Sequence, residues 1–474
     1  MTTFFGHPRG LATLFFTEMW ERFGFYGVRA ILIYFMTAKI AQGGLGFPTA
    51  HAAIIYGLYL SMVYLVSLPG GWVADNILGQ RKAVLYGGII IAAGYYLMAV
   101  PGMFAFYGAL TLVVLGTGLL KPNASTIVGG LYAEGDQRRD AGFSIFYMGI
   151  NTGALLAPLV IGTVGEKFNY RYGLALAGVG MSFGVIQYLA GAKHLGNAGL
   201  PPPIDPVARR RALIGGGSLA AVAILIAVLA AAGVISAQGI SDWFGAFLTI
   251  LTVVVFSALL LAPGWTPVER KRLSAIFILF LASAMFWSAF EQAGSTLSLF
   301  AQRNTRLSMF GVGFPASWFQ ILNSLFLVVL APVFAVVWLK LRKREPSTTI
   351  KFTLGLVFVG LGFAVLIPVA NGTAVSPLWL TLTYLLHTIG ELCLSPVGLS
   401  AMTKLAPARI AAMVMGIWFL SISVGEFIGG RVAALYEQFP LSSLFGIVAL
   451  FCVACAAVLI CFNKPMKRLS GGVN

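Results

Sequence analysis

"GTGLLKP" (Gly116–Pro122) and "GELCLSP" (Gly390–Pro396) share Gly, Leu and Pro at matching offsets in opposite halves of the chain. Each lies inside an apolar run long enough to cross a bilayer as a helix. Such runs recur from one end to the other. Of the 474 residues, 59% are hydrophobic and 10% charged, against about 25% charged in a typical soluble domain. The length rule predicts an all-α polytopic membrane protein of about fourteen spans. They fall near 11–40, 50–75, 82–100, 104–131, 140–165, 171–192, 212–235, 242–262, 269–301, 314–341, 352–370, 377–404, 409–436 and 441–462. The first apolar run continues into charged helix rather than a cleavage site, so no signal peptide is expected.

The net charge of +16 is a matter of topology rather than nucleic-acid binding. One side collects Arg9, Arg81, Lys82, Arg138, Arg139, Lys193, Arg209–Arg211, Arg270–Arg272, Lys340, Arg342–Arg344, Lys351, Lys404, Arg409, Lys464, Lys467 and Arg468. The other keeps little beyond Lys39, Lys167, Arg171, Arg303 and Arg306. By the positive-inside rule both termini are cytoplasmic. Cys393, Cys452, Cys455 and Cys461 stand in apolar helix with no histidine cluster, so no metal site is expected.

Two plain apolar helices, 212–235 and 242–262, lie between the Pro-rich stretch "LGNAGLPPPIDPVARRR" (Leu195–Arg211) and the basic "TPVERKRL" (Thr266–Leu273). Removing them leaves six helices on each side, and the two quoted motifs then fall on the fourth helix of each half. The predicted organisation is a bundle at 1–194, a linker with two added helices at 195–268, and a second bundle at 269–474. Parallel six-helix halves are the plan of the major facilitator fold, with substrate near the midplane between them. "GGWVADNILGQRK" (Gly70–Lys82) resembles the loop signature of those transporters, where Asp75 can meet cationic or helix-terminal partners.

The charges inside the spans point to function. A charge at the bilayer centre costs about 2.5–3.5 kcal/mol on insertion scales, so each needs a partner or a wet cavity. "TEMWERFGFYGVRAILIYF" (Thr17–Phe35) carries Glu18, Glu21, Arg22 and Arg29. Glu18, Glu21 and Arg22 stand at i, i+3 and i+4 on one helix face. Two carboxylates sharing one cation in a low dielectric suit a group that loads and unloads a proton. Glu391 aligns with Thr117 in the repeat, so Lys121 lies one turn away in depth, roughly 6 Å. An ammonium-binding Glu391 with a carboxylate-binding Lys121 and Arg29 would suit a zwitterion, and empty, Lys121 and Glu391 could pair. Glu291 and Glu426 complete the intramembrane acids.

Six motifs resemble one family. "ExxERFxxYG" (Glu18–Gly27), "GTGLLKPN" (Gly116–Asn123), "FYMGINTGALLAP" (Phe146–Pro158), "FWSAFEQAGS" (Phe286–Ser295), "WFQILN" (Trp318–Asn323) and "GELCLSPVGLS" (Gly390–Ser400) look like the proton-dependent oligopeptide transporters, POT/PTR, of the bacterial type. The resemblance implies proton-coupled import of di- and tripeptides by alternating access. It assigns proton coupling to Glu18, Glu21, Arg22 and Glu291. Arg29 and Lys121 would hold the peptide carboxylate and Glu391 its amino terminus. Tyr26, Tyr64, Asn151 and Asn323 would line the backbone site; Trp287, Trp318 and Trp418 would shape side-chain pockets. Arg29 with Glu291, and Lys121 with Glu391, would be gating pairs. The proton gradient supplies energy, and no cofactor or metal is implied. The setting is the bacterial inner membrane, with a monomeric functional unit.

The chain departs from the family at Phe25, where many members have Tyr, and at Phe290, where some carry Glu. Glu426 and Arg431 match no assigned role, and His387, one turn before Glu391, is open to structural or relay readings. The alternatives are a same-fold carrier of nitrate or an organic acid, and a membrane-embedded enzyme. No GxSxG, HExxH or P-loop spacing supports catalysis.

Overall fold

The computed structural model of the chain describes residues 3–133, 136–201, 206–341 and 344–470. Arg342 and Lys343 of the basic set, and residues 202–205 of the linker, lie outside the described residues. The fold is helical throughout: α1 Gly10–Thr37, α2 Thr49–Leu65, α3 Ser67–Val73, α4 Gln80–Ala99, α5 Met103–Gly130, α6 Arg139–Ala157, α7 Thr163–Lys167, α8 Tyr170–Gly191, α9 Pro206–Ala231, α10 Ala237–Leu261, α11 Pro267–Phe290, α12 Thr296–Asn304, α13 Ile321–Leu341, α14 Thr348–Leu366, α15 Pro377–Leu405, α16 Ala411–Ala433, α17 Leu441–Cys461 and α18 Asn463–Leu469. The only sheet among the described residues is a hairpin, with Ser308 opposite Gly313 and Met309 opposite Val312. Thirteen helical stretches of the described residues are long and apolar enough to span a membrane. α1, set apart from them by its four charges, Glu18, Glu21, Arg22 and Arg29, brings the total to the expected fourteen.

Three expected spans are not continuous α-helices. The span at 50–75 is divided at Val66 and ends in a wide turn, Ala74–Leu78. That at 140–165 passes through a similar wide turn at Pro158–Gly162, where the proline has no N–H to offer the ladder. The third, at 269–301, is broken at Glu291–Gly294. Hydropathy is blind to the turn at Pro158–Gly162, whose residues are as apolar as their neighbours, whereas Ala74–Leu78 carries Asp75 and Asn76 and Glu291–Gly294 carries Glu291 and Gln292.

Contacts divide the chain into two compact units: Met1–Gly46 with Met62–Ser236, and Phe47–Ser61 with Ala237–Asn474. Within the first, α1 packs on α6 and α8, α4 on α5 and α8, and α9 on α5. Within the second, α14 packs on α15 and α17, and α11 on α16, α14 and α10.

The repeated glycines explain the tightest of these contacts. A β-carbon at Gly116 would lie 2.7 Å from the Gly87 carbonyl, bringing α4 against α5. In the second unit a β-carbon at Gly390 would lie 2.9 Å from the Gly355 carbonyl, bringing α14 against α15. The same glycine of each motif therefore serves the same helix pair in its own half. Close backbone approach of this kind is how small residues hold membrane helices together. Gly116→Val and Gly390→Val should each destabilise by about 1–3 kcal/mol through overpacking, read as loss of monodisperse protein on detergent size-exclusion or a lowered melting temperature.

Asp242 and Arg431 have a joint structural explanation. They form an ion pair between α10 and α16, the Arg431 guanidinium lies over Phe427 at 5.3 Å, and Phe244 meets Phe427 edge-on. The arginine that no motif accounted for thus anchors one of the two added helices.

Within the second unit, Ser61 Oγ donates to the Ser423 carbonyl at 2.7 Å and Ser423 Oγ to the Ser61 carbonyl at 2.9 Å. One turn on, a β-carbon at Gly57 would lie 2.6 Å from Gly430 Cα. Arg303 donates to Glu437 at 2.6 Å and to Thr49 Oγ1 at 2.9 Å, and Thr49 also donates to Glu437. The hydrogen bonds from Thr49 and Arg303 hold the Glu437 carboxyl below its ordinary range. A carboxylate lowered on folding contributes stability above its unfolded value and loses it as pH falls through the folded one. Hydrogen-exchange protection of 47–61, corrected for intrinsic rates, should therefore drop below about pH 4, and Glu437→Gln should remove that dependence.

Candidate functional site

In the first unit the site is built on α1. Gly149 and Gly153 of α6 stand one turn apart; β-carbons there would lie 2.8 Å from the Phe15 carbonyl and 3.0 Å from the Phe23 amide. The glycines of "GINTG" thus let α6 lie directly on the α1 backbone. Glu18, Glu21 and Arg22 are all buried, at 3%, 0% and 4% exposure. Arg22 Nε bonds Glu21 Oε2 and lies 3.3 Å from Glu18 Oε1. One guanidinium therefore serves two buried carboxylates, as the i, i+3, i+4 spacing predicts. Glu18 Oε2, Glu21 Oε1 and Arg22 Nη2 have no hydrogen-bond partner among the described residues. Such an incompletely satisfied trio is costly as a mere staple.

Phe25 sits 4.9 Å from the Arg22 guanidinium and is 2% exposed. Its apolar ring thus walls the charge cluster. The Arg29 guanidinium lies over Tyr26 at 5.7 Å, and Lys121 Nζ over Tyr64 at 4.1 Å. Each predicted carboxylate-binding cation is therefore steadied by a predicted tyrosine. Asn151 Nδ2 donates to the Tyr147 carbonyl of its own helix at 3.0 Å.

In the second unit Glu391 is joined to "WFQILN". Asn323 Nδ2 donates to Glu391 Oε2 at 2.8 Å and to Thr388 Oγ1 at 3.2 Å. Thr388 Oγ1 in turn donates to the Tyr384 carbonyl. Thr388 went unnoticed in the sequence, although its place one turn before Glu391 was the available signal. Glu291 is 5% exposed and opens the break in the long helix. The break is well supported: the Ala293 carbonyl accepts from Tyr384 Oη at 3.2 Å and from Ser298 Oγ at 2.9 Å, and Gln292 bonds Ser288 and Thr296. Gly294 leaves no room for a β-carbon beside the Tyr56 hydroxyl.

The three tryptophans differ. Trp318 is half-buried and stacks on Phe314. Trp287 and Trp418 are buried, at 6% and 3%. Trp287 is wedged against Gly425, and Trp418 fills the space that Gly398 leaves open. His387 lies between Phe363 at 5.1 Å and Phe290 at 6.1 Å, with Phe290 stacked on Phe286. Phe290 thus belongs to an aromatic cluster around the histidine, and a carboxylate there would be buried among rings. In the signature loop Gly79 takes φ +76°, and Arg81 Nε donates to the Ala198 carbonyl at 2.7 Å. The arginine of the signature ties down the start of the Pro-rich linker.

Comparison with known proteins identifies the family. The POT family (PTR2) matches residues 81–450. The chain is 44% identical to the transporter YclF of Bacillus subtilis (strain 168), covering 99% of this chain and 96% of that one. It is 38% identical to a di-/tripeptide transporter of Lactococcus lactis subsp. cremoris, covering 99% and 98%. A crystal structure of a peptide transporter POT in complex with sulfate superposes with a TM-score of 0.92 at 44% identity, over 99% of this chain and 97% of the other. The chain belongs to the POT family, and its fold is that of the major facilitator transporters.

Proposed function

We propose that the chain is a symporter that imports di- and tripeptides with protons by alternating access. The observation that carries this reading is the buried pair of carboxylates on one guanidinium, Glu18 and Glu21 on Arg22. Such a trio changes its internal balance when one proton arrives, which is what coupling needs. Glu291, buried where its helix breaks, is a further proton site. Arg29 and Lys121 take the peptide carboxylate and Glu391 the ammonium. Tyr26, Tyr64, Asn151 and Asn323 read the backbone, while Trp287, Trp318 and Trp418 bound the side-chain pockets. Arg29 with Glu291 and Lys121 with Glu391 alternate as gates between bundles 1–194 and 269–474, with 195–268 as the added segment. The membrane is the bacterial inner membrane, both termini are cytoplasmic, and one chain is the functional unit.

As a POT member the protein is a transporter and not an enzyme. The names of its relatives favour peptides over nitrate or an organic acid. The test is dialanine uptake into proteoliposomes. An inward proton gradient should drive accumulation that a protonophore collapses. Folded protein that shows no uptake under that gradient would overturn the reading.

A further inference from the structure

The second unit holds a cavity of about 570 Å³ where α13, α14, α15 and α18 come together. Its wall carries Trp338, Glu345, Ser347, Lys351, Lys404 and Lys467. None of these belongs to the peptide site described above. Lys351 is only 7% exposed, pairs with Glu345, and lies 4.6 Å from the centre of the Trp338 ring. Ser347 caps α14 by accepting from the Ile350 amide and donates to Asn463 Oδ1 at 2.7 Å, fastening the approach to α18. The cavity is therefore a built space with a part-buried ammonium, and not a crease between loose ends.

Its charge is unbalanced. Three ammonium groups face one carboxylate, and the N-terminal end of α14 adds the positive pole of a helix. The lysines belong to the basic set that marks the cytoplasmic side, an orientation that rests on the reading given above. One wall is α13, in whose span only 6% of the most apolar stretch is buried within the protein. A positive cavity beside an apolar, little-buried helix, on the side that collects the basic residues, matches the kind of pocket that holds anionic lipid heads.

We propose that this cavity binds a phosphate-bearing anion, the headgroup of an anionic phospholipid of the cytoplasmic leaflet. The phosphate lies among Lys351, Lys404 and Lys467, and Trp338 stands at the lipid side. The volume admits a glycerol-phosphate unit, whereas free phosphate would leave most of it unfilled.

The test measures retention of phosphatidylglycerol against phosphatidylcholine on the purified full chain in detergent, by native mass spectrometry. Phosphatidylglycerol should be retained in preference. Each lysine lost should weaken its binding about fivefold, so Lys404→Gln with Lys467→Gln should remove most of the preference. Glu345→Gln should act in the opposite sense and strengthen retention. Lys82→Gln with Lys193→Gln, equally basic but in the first unit, should leave it unchanged. If millimolar inorganic phosphate displaces the lipid and raises the melting temperature through the same lysines, the anion site stands with a soluble occupant. Equal retention of both lipids, or equal loss in the Lys82/Lys193 control, would overturn the proposal.

Discussion

Glu21→Gln is expected to abolish gradient-driven accumulation of a dipeptide while sparing part of its counterflow exchange. Glu21 is fully buried and bonds Arg22 directly, while Glu18 meets the same guanidinium at 3.3 Å. The amide keeps the size of the carboxyl but can neither take up nor release a proton. Arg22 then has a single carboxylate, Glu18, and the trio loses the state in which two acids compete for one cation. Exchange needs only the peptide-loaded carrier to turn over, whereas accumulation needs the proton to enter and leave. Proteoliposomes loaded with unlabelled dipeptide separate the two. Wild-type accumulation in the variant would remove Glu21 from the coupling step.

The second large effect is expected at Glu391. Glu391→Gln should raise KM for dialanine by about 30-fold or more, the low end of the 2–5 kcal/mol seen on truncating one partner of a buried charge pair. Asn323 holds Glu391 Oε2 at 2.8 Å, so the carboxylate is pre-positioned and its loss is not recovered by a swing of the side chain. The decisive comparison uses N-acetyl-dialanine, which has no ammonium. The wild type should discriminate strongly against it, and the variant should discriminate little. A variant that loses both substrates equally would point to a structural role for Glu391.

Much of this was legible before the fold. The spans follow from hydropathy because the bilayer demands length and apolarity, and the α1 cluster follows from helical spacing alone. Other features depended on partners remote in sequence. Arg303 read only as an outer-side charge, yet it meets Glu437 and Thr49. Arg431 had no reading until Asp242 lay beside it. The break at Glu291–Gly294 was hidden because its cost is met by Tyr384, whose hydroxyl reaches the Ala293 carbonyl. Phe25 stood out only as a departure from the family's tyrosine; its contact with the Arg22 guanidinium needed the fold. Trp287 and Trp418 are buried, at 6% and 3% exposure, a placement that the sequence could not reveal.

The paired glycines also have a mechanical consequence. Where Gly87 meets Gly116, and Gly355 meets Gly390, backbone touches backbone with no side chains between. Such a contact has no rotamers through which to yield. The hairpins α4–α5 and α14–α15 are then stiff beams, and compliance is left to the irregular turns at Ala74–Leu78, Pro158–Gly162 and Glu291–Gly294. A transport cycle in this chain would flex at those three joints while its two beams travel unbent.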